Sequence, residues 1–253
     1  MIYCLANIIC YQGNNTEKPI FIFPGSDLDM ESFLENDDLF VGWTDQLNQM
    51  VDSSHSYEHS LIRAIKEDRA DIACHVVNNV MNKNPCNEAG VTALHQAAAK
   101  GRCEIYQLIM QNLQDKNPAD KDGRTPLHIA AGRGQLEICH LIVGSSDVKD
   151  KNPRNKVGRT PLHVAAAFGH TPIYKVIMDQ VVDKNPPAHN GDTPLHVAAY
   201  ENHVDVCQLI IANVVDKAPL NARGWSPFRM ARIMGEGTCR DMLSAWPGPF
   251  GDN

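Results

Sequence analysis

The sequence predicts an all-α-dominated solenoid, a stack of small helical units rather than one central core. Three observations carry this. The stretch Gly123-Arg124-Thr125-Pro126-Leu127-His128-Ile129-Ala130-Ala131-Gly132-Arg133-Gly134 recurs as Gly158–Ala166 with Gly169 and as Gly191–Ala199. Looser copies run Gly90–Ala98 with Gly101 and Gly224–Ala231. Taking the Thr or Ser as anchor, positions 92, 125, 160, 193 and 226 are 33, 35, 33 and 33 residues apart, and one further step back falls on His59, with Leu61, Ala64, Ile65 and Ile72 in frame. A fixed period of this length with one apolar set per period marks stacked supersecondary units. The third observation is a second recurring element, Asp115-Lys116-Asn117-Pro118, repeated at 150–153 and 183–186, with variants at 82–85 and 216–219, always ten residues ahead of an anchor.

Each element follows from its residues. Thr125 precedes Pro126, so the hydroxyl caps a helix whose first position Pro tolerates. Leu127, Ala130 and Ala131 fall on one face of that helix, and Ala permits close packing. Gly134 ends it by taking the left-handed conformation. A second helix follows, with an apolar stripe of Ile138, Leu141 and Ile142 here and Val206, Leu209 and Ile210 later. In the Asp-Lys-Asn-Pro element the Asp and Asn bond neighbouring amides in a turn, and Pro fixes an extended exit. Asn79, Asn112 and Asn213 are expected as left-handed caps of the second helices. Gly144-Ser145-Ser146 is where the two extra residues between the third and fourth repeats are expected, in a loop.

The Thr-(Pro/Ala)-Leu-His signatures resemble those of the ankyrin repeat, in about six copies over residues 57–250: about 57–88, 89–121, 122–156, 157–189, 190–222 and 223–250. The resemblance implies a solenoid with short β-hairpin fingers, and non-catalytic protein binding through a concave groove. It also implies that His95, His128, His163 and His196 are hydrogen-bonding struts. One His per repeat spreads the rings too far apart for a shared metal. Like inhibitors of NF-κB/Rel-type transcription factors, the chain has about six repeats behind an acidic N-terminal region, although Asp52-Ser53-Ser54-His55-Ser56 lacks the Gly and the spaced Ser of their degradation signal. A third reading is a substrate adaptor for a ubiquitin ligase or phosphatase, for which no docking box stands out.

Outside the repeats, residues 1–56 read as an acidic, partly disordered leader. Between Pro24 and Ile62 there is no Lys or Arg, while Asp27, Asp29, Glu31, Glu35, Asp37, Asp38, Asp45, Asp52 and Glu58 accumulate among Leu28, Phe33, Leu34 and Trp43. Helices are expected over 27–36, capped by Ser26, and over 45–52. The segment either caps the first repeat or docks on a basic surface. Ile2–Tyr11 is too short for a membrane span and lacks a positive flank. At the other end, Cys239, Met242, Leu243 and Trp246 form a thin last helix, as a terminal cap does.

A net charge of −7 argues against nucleic acid as a partner. No phosphate-binding Gly-rich loop, GxSxG or HExxH motif occurs, so no enzyme activity, cofactor or metal is expected. Cys74, Cys139 and Cys207 recur near one second-helix position and read as buried reduced thiols, which fits cytoplasm or nucleus. What varies within a fixed repeat is the functional clue. Arg124, Arg133, Arg154, Lys156 and Arg159 gather on the variable positions of repeats three and four, with Lys121 just ahead of them at the end of repeat two, flanked by Phe168, Tyr200 and Trp225. Arg and aromatic residues favour interface hot spots. The expectation is a monomer that binds a protein with an acidic surface.

Overall fold

The structure, a computed structural model, describes residues 57–79, 83–233 and 237–246. The leader over 1–56, with the helices expected at 27–36 and 45–52, lies outside the described residues, as do 247–250 of the last repeat. The described residues form helix pairs: α1 (Tyr57–Glu67) and α2 (Ala70–Asn79), α3 (Ala93–Lys100) and α4 (Cys103–Gln111), α5 (Pro126–Arg133) and α6 (Leu136–Gly144), α7 (Pro161–Ala167) and α8 (Thr171–Met178), α9 (Pro194–Tyr200) and α10 (Val204–Asn213), α11 (Pro227–Ile233) and α12 (Thr238–Leu243). First helices pack on first helices in succession and second helices on second helices, so two layers share a continuous seam. Leu94, Leu127, Leu162 and Leu195 are fully enclosed in that seam together with the Ala pairs that follow them. Leu61, Ala64 and Ile65 are equally enclosed, which makes the signature-poor first repeat a full member of the stack.

The second-helix stripe differs from the expected one. Ile138, Cys139 and Ile142, like Val206, Cys207 and Ile210, are buried, whereas Leu141 and Leu209 are half-buried. Neighbours lie on two sides of each second helix, so the residue one step after Ile138 or Val206 is enclosed in preference to the one three steps on.

The Thr and His of each signature work as one device. His95, His128, His163 and His196 each place Nδ1 against the anchor Thr, at 2.9, 3.1, 3.0 and 3.0 Å from Oγ1. The same Nδ1 accepts the Thr backbone N–H at 3.3, 3.1, 3.1 and 3.1 Å. A backbone N–H can only donate, so Nδ1 carries no proton and Nε2 carries it. Nε2–H then donates to the carbonyl just ahead of the next anchor: Arg124, Arg159, Asp192 and Trp225, at 2.8, 3.1, 3.0 and 2.9 Å. Each ring thus caps its own helix and ties its repeat to the next.

Helix ends are closed by two means. The first helices α1, α3, α5, α7 and α9 end on left-handed residues: Gly101, Gly134 and Gly169 have φ of 70, 73 and 69°, and Asp68 and Asn202 occupy the same place at 58 and 59°. Second helices do not use left-handed Asn. Asn112 has φ −93°, and Asn213 is the last residue of α10. Their side-chain amides instead donate to the Leu108 and Leu209 carbonyls four residues back, at 2.9 and 2.8 Å. Asn79 is the last residue of α2 and is not left-handed. Lys116 and Lys151 reach back from the Asp-Lys-Asn-Pro turns to the terminal carbonyls Met110, Ile142 and Ser145, where a cation also complements the helix dipole. Asn84, Asn152 and Asn185 point forward, accepting the N–H of Leu94, Leu162 and Leu195 at 2.9, 3.3 and 3.0 Å. The insertion falls after α6 as expected, where Asp147 N–H donates to Ser145 Oγ at 3.3 Å.

The fingers are hydrogen-bonded turns more than strands; among the described residues one isolated bridge, Cys86 to Thr92, is present. At four of the five turns the side-chain oxygen of Asn87, Asp120, Asn155 or Asn221 accepts the N–H two and four residues on, while the turn at Ala188 has no such acceptor. Successive fingers join by one backbone bond, such as Lys121 N–H to Ala89 O at 2.9 Å and Lys156 N–H to Asp122 O at 2.9 Å. The finger Gly is required twice over: Gly191 has φ +77°, and a Cβ there would lie 2.5 Å from the Ala222 nitrogen of the next finger.

Candidate functional site

One face of each first helix packs on the second layer and its flanks pack on neighbouring repeats. What remains free is the face pointing away from the second layer, bordered at the helix N-termini by the fingers. The candidate residues fall on this face and its border, in two separate sets. Lys121, Arg124, Arg154, Lys156, Arg159 and Trp225 stand on fingers, while Arg133, Phe168 and Tyr200 stand at the C-terminal ends of α5, α7 and α9. An eight-residue helix separates the two sets by about 12 Å.

The finger cations are not equivalent. Arg124 Nε lies 2.8 Å from Asp120 Oδ2 and a terminal nitrogen 3.1 Å from Asp122, so its charge is spent inside its own finger. The Asp120 side chain is fully enclosed. Burial alone would raise its pKa, but the Arg124 guanidinium and the N–H groups of Arg124 and Asp122 hold it below the usual carboxylate range. Arg154 is also engaged, donating to the Gly158 carbonyl at 3.0 Å and to the Pro187 carbonyl of the next finger. The Arg124 and Arg154 side chains thus brace their fingers. Lys121, Arg133, Lys156 and Arg159 are exposed and make no ion pair among the described residues. Trp225 is half-buried between cations, with Arg223 and Arg229 at 5.2 and 5.1 Å from its ring. Phe168 is 60% exposed and stacks on His170 at 6.2 Å.

Between the two sets runs a row that the sequence reading missed. The residue after the signature His, a position that follows Arg229 in the last repeat, is Gln96, Ile129, Val164, Val197 and Met230 in successive repeats. Four of these are apolar, and Ile129, Val164 and Met230 are only half-buried. One turn further on, Phe168, Tyr200 and Ile233 are exposed. The signal was available: a position outside the buried Leu-Ala-Ala set that stays apolar in four copies. Gly132 leaves room for this surface to close up, since a Cβ there would lie 3.0 Å from Val164 and 3.5 Å from Phe168.

The four signature His are unsuited to proton transfer. Burial pushes all four below the ordinary 6.5, His128 and His163 to about 4, against the weaker upward pull of their carbonyl partners. Among the described residues no three His, Cys, Asp or Glu side chains are placed to hold a metal ion. No described helix is long and apolar enough to cross a membrane.

A family model for ankyrin repeats, built of three copies, matches residues 61–152 and again 141–223. A search of curated proteins gave no significant match.

Proposed function

The chain belongs to the ankyrin-repeat family, whose repeats are generally protein–protein interaction modules, and from that premise we propose that it binds a partner protein on the free face of its first-helix layer. The partner segment on this reading is acidic at its edge and apolar at its centre, and no reaction is catalysed. The observation that carries the reading is the juxtaposition of the apolar row Ile129, Val164, Met230, Phe168 and Tyr200 with the unpaired cations Lys121, Lys156 and Arg159 along one side and Arg133 on the other. An apolar centre ringed by polar groups is the anatomy of a protein interface. The face is already braced by the His rungs and finger bonds, so little ordering cost is added on binding. The free cations steer an acidic partner and raise its on-rate.

The test places a photo-crosslinking amino acid at Val164, on the free face, or at His140, exposed on α6 in the other layer. A partner trapped from Val164 and not from His140, then binding on the order of tenfold more weakly to Lys156→Glu/Arg159→Glu, supports the proposal. Equal capture at both positions, or indifference to the charge reversal, overturns it.

A further inference from the structure

The second-helix layer holds a row of side chains that partner binding leaves unused. It runs Tyr106, Cys139, Tyr174, Cys207 and Cys239, every one enclosed. Large and small alternate, as close packing of equivalent positions requires. The Tyr106 phenol is held well above its ordinary value by burial and by the neighbouring Cys139 sulfur, and Tyr174 by burial, Asp183 and Cys207. At the last junction the alternation fails. Helix α12 offers a second small thiol where a Tyr would continue the pattern, and the Cys207 and Cys239 sulfurs stand 3.8 Å apart. Both are free thiols.

We propose that Cys207 and Cys239 are a dithiol–disulfide couple that, when oxidised, locks the sixth repeat onto the fifth. A disulfide needs about 2.05 Å between sulfurs, so the pair has to close by less than the width of one atom. The helix that must yield is the shortest of those described: α12 has six residues and packs chiefly on α10 and α11 at the end of the described stack. Terminal elements open locally at low cost, which gives a small oxidant access to otherwise enclosed sulfurs. The oxidant class is a hydroperoxide. One thiolate attacks a peroxide oxygen; the O–O bond breaks, leaving a sulfenic acid and, once protonated, an alcohol or water. The second sulfur then attacks the sulfenic sulfur, the S–O bond breaks, and water departs with the second thiol's proton. Two thiols have lost two electrons and two protons, and one peroxide has been reduced. The new bond closes a loop from α10 to α12 and so disfavours any state in which repeat six has left the stack. It also fixes α11, which carries Met230 and Ile233 at one end of the binding face.

The experiment treats the full chain with hydrogen peroxide, blocks remaining thiols by alkylation, and maps disulfides by non-reducing digestion and mass spectrometry. The expected product is a peptide pair containing Cys207 and Cys239, dominant among the possible pairings of eight cysteines and reversed by a dithiol reductant. Amide exchange in α12 should slow on the order of a hundredfold. Cys139→Ser should retain both effects, and Cys239→Ser should abolish both. If Cys239→Ser does not fold, Cys239→Ala serves the same purpose. Oxidation confined to the exposed Cys86, a Cys207–Cys239 pair formed only in urea, or unchanged exchange in α12 would each overturn the proposal.

Discussion

Acidification should unfasten the stack at its repeat junctions, well above the pH at which carboxylates titrate. Each signature His is held neutral by geometry: a proton on Nδ1 would point at the Thr backbone N–H, setting donor against donor. Burial brings His128 and His163 to about 4 from the ordinary 6.5. Between those two values the unfolded chain binds protons that the folded chain refuses. Stability is therefore complete above the unfolded value and is lost as pH falls toward the folded one. At pH 5.0 each of the two rings contributes a loss of about 2 kcal/mol relative to pH 7.5, or about 4 kcal/mol together, a large part of the 5–15 kcal/mol typical of a domain. His95 and His196 are lowered as well and add in the same direction. Asp71 and Asp120 are held below the ordinary 3.8, so their own losses come beneath this window.

The assay is urea unfolding followed by circular dichroism at steps from pH 7.5 to 5.0, on the wild type and on His163→Gln. The wild type should lose stability at about 2 kcal/mol or more per pH unit near pH 5.5. His163→Gln starts weaker at pH 7.5, because a rung is lost, but its pH slope should be shallower by about 1 kcal/mol per unit. A wild-type profile that is flat from pH 6.5 to 5.0, or a variant with the full slope, would refute the reasoning.

Two further substitutions test the packing directly. Gly144 ends α6 with an ordinary φ, and a Cβ there would meet nothing within 4 Å, so Gly144→Ala should raise stability by roughly 0.5–1 kcal/mol, read as a higher urea midpoint. Asp120→Ala removes the acceptor of two backbone N–H groups and of Arg124 and should cost about 2–3 kcal/mol. Arg124→Ala leaves those backbone bonds in place and should cost about 1 kcal/mol less, measured by the same midpoint.

Much of this architecture was legible because the signature is a set of local steric and hydrogen-bonding solutions. Thr-Pro starts a helix, Leu-Ala-Ala packs it, and Gly ends it, all within one short stretch. The departures come where one physical need has two solutions. A second helix can be closed by a left-handed Asn or by an Asn side chain reaching four residues back; Asn112 and Asn213 take the second route. Composition does not separate the two, because both use the same amide. Composition leaves the pairing of charges open for a related reason. Arg124 and Lys156 lie on comparable fingers, but only Arg124 has an Asp folded against it by the turn, and that pairing is set by backbone geometry.

The same network explains where on a repeat function can reside. The Thr, Pro, Leu, His and paired Ala of each signature are committed to caps, rungs and the seam. In the intervening turn the Asp is committed to the turn's own N–H groups, and the Lys and Asn largely to helix ends. In the first-helix layer that leaves the residue after the His, the residues one turn later, and the tips of the fingers. Changing any of these leaves every structural bond described for the rungs and caps intact, so they are free to differ between repeats. In this chain they do: Gln96 and Lys100 are polar in the second repeat, Ile129 and Arg133 mix the two characters in the third, and Val164 with Phe168 is fully apolar in the fourth. A graded face of this kind has a direction along the stack. On the proposed function a bound segment is also polarised across the stack, with its carboxylates toward Lys121, Lys156 and Arg159 on the fingers and its apolar residues toward Phe168 and Tyr200 at the helix ends.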